Sequence, residues 1–121
     1  MDLVEFLRAR LDEDEHWARE AATGWPPEYG LRASEDPEHY AWMATDVTPS
    51  KASFIRRHDP ARVLHEVEAK RALLRRYEDC RKYGGVPGNE HLDPDAFEDY
   101  VLLPIAAVYS GHPDYQQEWK P

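Results

Sequence analysis

The chain has one cysteine, Cys80, in 121 residues. No intrachain disulfide can form, and a reducing, cytosolic setting is expected. Long apolar runs are also missing. None approaches the roughly 20 residues a helix needs to cross a bilayer, so no membrane association is expected. The opening Met1-Asp2-Leu3-Val4-Glu5 is acidic and lacks the basic region of a secretion signal. Glycine clusters only at Gly84-Gly85 and Gly88, without the lysine and spacing of a phosphate-binding loop. Apolar residues make up 41%, below the usual ~45–50%. A core that lean in a chain one domain long leaves little room for a cofactor cavity. A single domain over residues 1–121, without cofactor, is the expectation.

Charge is plentiful. Charged residues reach 32% and the net charge is −9. Residues 1–23 carry seven acids against three bases, and residues 84–121 carry seven against one. Residues 60–83 reverse the balance, with four acids against seven bases. The acidic total argues against direct nucleic-acid binding, which needs positive charge to release counterions. Acidic first and last helices beside a basic middle one would complement each other. Asp12 to Glu15 and Asp93 to Asp99 are the excess left for a partner to read.

The pattern predicts a mainly α fold, with α+β left open. Residues 2–22 read as a helix with Val4, Leu7, Leu11, Ala18 and Ala22 on its apolar face. Asp2 and Glu5 have the spacing of a capping box. Residues 25–50 form a short β-hairpin or an irregular insertion between the first two main helices. Runs 29–33 and 40–44 would be the strands, or Asp36-Pro37 would start a short helix. Pro49 opens a helical turn through Phe54, Ile55 and His58. Residues 59–83 form the central helix, capped by Asp59, with Val63, Val67, Leu74, Tyr77 and Cys80 on one face. Asp93-Pro94 starts a last helix whose apolar face is Phe97, Tyr100, Val101, Ile105 and Val108. Pro104 should kink or split it. The first, central and last helices share the core.

Candidate chemistry is sparse. Six histidines and Cys80 supply ligand types, but no pair has the spacing of a zinc site. His65 and Cys80 share one helix and lie about 22 Å apart at ~1.5 Å per residue. No metal site and no catalytic residue is assigned, and Cys80 reads as a core thiol. His112, Asp114, Tyr115 and Trp119 form a distinctive tail. They read either as a partner-recognition surface anchored by Tyr115 and Trp119, or as a C-terminal clamp with Trp119 packed on the helices and Asp114 in an Asx-type turn. His58, before Asp59-Pro60, reads as part of a helix start or as an interaction residue.

The stretch His58-Asp59-Pro60-Ala61-Arg62-Val63-Leu64, continued by Glu66-Val67-Glu68-Ala69-Lys70-Arg71, resembles an uncharacterised family of small proteins from actinobacteria and their phages. The opening Leu3 to Glu15 and the closing His112-Pro113-Asp114-Tyr115, with Glu118-Trp119 and a final basic-proline pair, match the same family. The resemblance covers both ends and the central helix. It implies no activity. Its members tend to carry cysteines after the central helix, sometimes near a histidine, which implies a metal site in those relatives. Only Cys80 and His91 are present here, a departure that puts such a site in doubt for this chain.

Three functions follow as expectations. The first is a non-enzymatic accessory protein that binds a protein partner, encoded by a phage or mobile element. The second is an acidic inhibitor that mimics DNA. The third is a small metal-dependent enzyme. Completion of the lean core by a homodimer is also open.

Overall fold

The computed structural model describes residues 1–23 and 49–121. Among them every regular element is helical: α1 (Leu3–Thr23), α2 (Pro49–Arg57), α3 (Pro60–Tyr83), α4 (Pro94–Phe97), a π-helical turn (Glu98–Leu102), α5 (Leu103–Ala107) and a closing 3₁₀ turn (Gln117–Trp119). The expected hairpin falls in residues 24–48, outside the described residues. The chain divides into two compact units, residues 1–12 with 69–121, and residues 13–68.

Local chemistry sets the helix starts. Asp2 Oδ1 accepts from the Glu5 amide at 2.8 Å, and Glu5 Oε2 accepts from the Asp2 amide at 3.0 Å. This is the predicted capping box, and it satisfies donors the first turn would leave open. Asp93 caps α4 by accepting from the Ala96 amide at 3.1 Å, with Pro94 in the first turn. Helix α3 ends with Arg81 and Lys82 in its last turn, where cations suit the helix dipole. Gly84 follows because space demands it. A Cβ there would lie 2.7 Å from the Cys80 carbonyl oxygen and 3.1 Å from that of Leu92.

In the larger unit, three helical segments share one core as expected. Leu3, Phe6, Leu7 and Leu11 come from α1, and Leu74, Tyr77 and Cys80 from α3. Leu102 and Ala106 come from the last helix, and Trp119 from the tail. In the smaller unit, Ala18, Val67 and Asp59 are buried. Asp59 is 5% exposed and caps α3, accepting from the Arg62 amide at 2.9 Å.

The last helix departs from its expected register. Leu102 and Ala106 face inward, while Tyr100 and Val108 are exposed. The cause is the π-helical turn, in which the Leu103 amide reaches back to the Glu98 carbonyl. Pro104 has no amide proton, and its ring crowds the carbonyl four residues back. Widening the turn ahead of it rotates the following residues relative to Phe97.

Candidate functional site

The C-terminal tail is built into the larger unit around Phe6. This side chain is fully buried and touches four rings. Trp119 lies 5.0 Å away, His112 5.9 Å, Tyr115 6.0 Å and Tyr109 6.4 Å, centroid to centroid. Three of these meet Phe6 edge to face, the arrangement favoured by the ring quadrupoles. Tyr115 and Trp119 also meet each other at 5.8 Å. Arg10 lies over the Phe6 ring at 5.4 Å and donates to the His112 imidazole. Lys70 lies over Tyr109 at 5.6 Å. Gln116 Nε2 donates to the Met1 carbonyl at 2.8 Å, tying the tail to the chain start.

Of the five sequence candidates, three therefore come together around Phe6, and a fourth, Asp114, touches the cluster only through His112. His112, Tyr115 and Trp119 pack within the cluster, and Trp119 is only 7% exposed. Asp114 is exposed. Its local hydrogen bond runs opposite to an Asx turn, with its amide donating to His112 Nδ1 at 3.1 Å. Its carboxylate lies 3.9 Å from the same nitrogen. His58 belongs to the smaller unit. Its ring stacks on Phe54 at 4.3 Å, and its Nδ1 donates to the Phe54 carbonyl at 2.9 Å. There it borders an apolar groove of about 330 Å³ with Trp17, Ile55 and Val63.

A second polar feature sits on the π-helical turn. The Tyr77 hydroxyl donates to Glu98 Oε2 at 2.6 Å. Burial pushes the Tyr77 phenol up to about 12, and the neighbouring Glu98 carboxylate adds to the rise. The phenol thus remains a donor at neutral pH, and the pair locks the π turn to α3. Among the described residues, no group of three or more His, Cys, Asp or Glu side chains is placed to hold a metal ion. None of their helices is long and apolar enough to cross a membrane.

The remaining feature went unread in the sequence. Tyr100 is 82% exposed and Val108 69% exposed, and Pro104 between them is exposed too. Their four-residue spacing puts them in one row. The row is an apolar stripe on the outside of the last helix, and Asp95 and Asp99 are exposed at its upstream end. A proline inside an apolar helical run was the available signal.

The architecture defines a small helical protein whose first helix is held by an aromatic C-terminal clamp. The chain belongs to a family of unknown function, DUF6221, whose model matches residues 1–121. No curated protein and no solved structure matches it.

Proposed function

We propose that this chain is a non-enzymatic accessory protein that acts by binding a protein partner in the cytoplasm of an actinobacterium, encoded by a phage or a mobile element. One observation carries the reading: the exposed row Tyr100, Pro104 and Val108. An apolar helix face left open to water costs free energy of solvation, and contiguous exposed apolar surface marks an interaction site. Aromatic side chains are favoured as anchors at such sites. The surroundings specify the partner's chemistry. Residues 84–121 hold seven acids and one base, so a fitting partner presents an apolar ridge rimmed by lysine and arginine. The resemblance of the two ends and central helix to actinobacterial and phage proteins supports the proposed setting.

The test is affinity capture from an actinobacterial lysate, with wild type and the double variant Y100D/V108D run side by side. A stoichiometric protein retained by wild type and lost by the variant is expected. No stoichiometric partner, or one retained equally by both, overturns the reading.

A further inference from the structure

In the larger unit, α1 and α3 meet along a seam of charge. Arg8 pairs with Glu78, and Arg71 pairs with Asp12 at 2.7 Å. The charged residues that α3 contributes to this pocket, Arg71, Arg75 and Glu78, recur at helical spacing on the flank of buried Leu74. Both acids of the seam are thus taken. Arg75, between the two pairs, has no hydrogen bond or ion pair among the described residues. The three arginines and two acids line a pocket of about 240 Å³, together with Leu74.

From this arrangement we infer that the pocket binds a small oxyanion of the phosphate class, as free phosphate or as the phosphate of a small metabolite. Three guanidinium groups against two carboxylates leave a local excess of one positive charge in a chain of net charge −9. Arg75 is exposed and presents a planar fork of donors that no described residue accepts from, and such forks match phosphate and carboxylate oxygens in pairs. Arg8 and Arg71 line the same pocket and add their positive charge beside Arg75. A planar carboxylate has two oxygens to share among three forks, whereas a phosphate offers more oxygens in a tetrahedral array. A bound anion also relieves the mutual repulsion of the arginines, which the two acids offset only in part.

Titration of the purified protein with inorganic phosphate, followed by NMR of the arginine Nε–H groups, tests the site. Sodium chloride at matched ionic strength and sodium acetate serve as controls. Saturable shifts of the Arg75, Arg8 and Arg71 signals with phosphate are expected. They should be weaker with acetate, absent with chloride, and reduced at least tenfold in apparent affinity in R75Q. Circular dichroism confirms that R75Q is folded, and R76Q, outside the pocket, should titrate like wild type. A linear response, an equal response to chloride or acetate, or undiminished binding by R75Q overturns the inference.

Discussion

Trp119 lies against Phe6 with ring centroids 5.0 Å apart, so the third residue from the end of the chain holds the first turns of α1. The contact spans 113 positions and closes the core of the larger unit. Replacing Trp119 with alanine removes a large buried ring and leaves a cavity beside Phe6. The expected cost is about 3–5 kcal/mol, read as a lower urea midpoint. F6A should cost a similar amount. The double variant should lose less than the sum, because the two rings share one contact. Additive losses would show that the tail does not lean on Phe6.

Tyr77 supplies a pH-dependent prediction. Its phenol is held up to about 12, chiefly by burial and then by Glu98. A pKa raised on folding stabilises the protein fully below the unfolded value near 10. That contribution disappears as pH rises from about 10 toward 12. An ultraviolet titration should therefore show one of the seven tyrosines ionising late, and Y77F should remove that late step. A wild-type curve in which all tyrosines titrate together near pH 10 would contradict the Tyr77–Glu98 bond.

The capping of α3 gives a third prediction. Asp59 is buried and accepts from the Arg62 amide. D59A leaves that amide without its partner and should cost about 1–2 kcal/mol, measured by chemical denaturation. D59N keeps a side-chain oxygen in place and should recover most of the loss. If D59N and D59A were equally unstable, the buried carboxylate would be acting through its charge instead.

Much of this architecture is legible in the sequence. The capping box at Asp2 and Glu5, the cap at Asp59 and the face of α3 follow from residue types at fixed spacing. Of the expected face, Val67, Leu74, Tyr77 and Cys80 are buried and Val63 is half-buried, because most of the residues between them are charged and leave one face available. The last helix was not legible in the same way. Residues 100–108 are apolar without interruption, so periodicity could not choose between the face of Leu102 and Ala106 and the face of Tyr100 and Val108. The π-helical turn made the choice. The hub role of Phe6 was hidden for a related reason. Leu3, Val4, Phe6 and Leu7 crowd two turns of α1, and Phe6 is selected by rings from residues 109–119, a relationship no local window contains.

The exposed row makes a prediction about stability as well as binding. Because Tyr100 and Val108 lie mostly in water, Y100D/V108D should change the unfolding free energy by no more than about 0.5 kcal/mol per site. The substitutions should act on partner capture alone. A large stability loss would mean that these side chains serve the core.

Site-specific photo-cross-linking tests the central claim most directly. A photoreactive benzoylphenylalanine placed at Tyr100, and separately at exposed Arg76 as a control, is irradiated in living cells. A discrete adduct with another protein from position 100, and none from position 76, is the predicted result. No adduct at position 100, equal adducts at both positions, or an adduct only with a second copy of this chain would contradict the account.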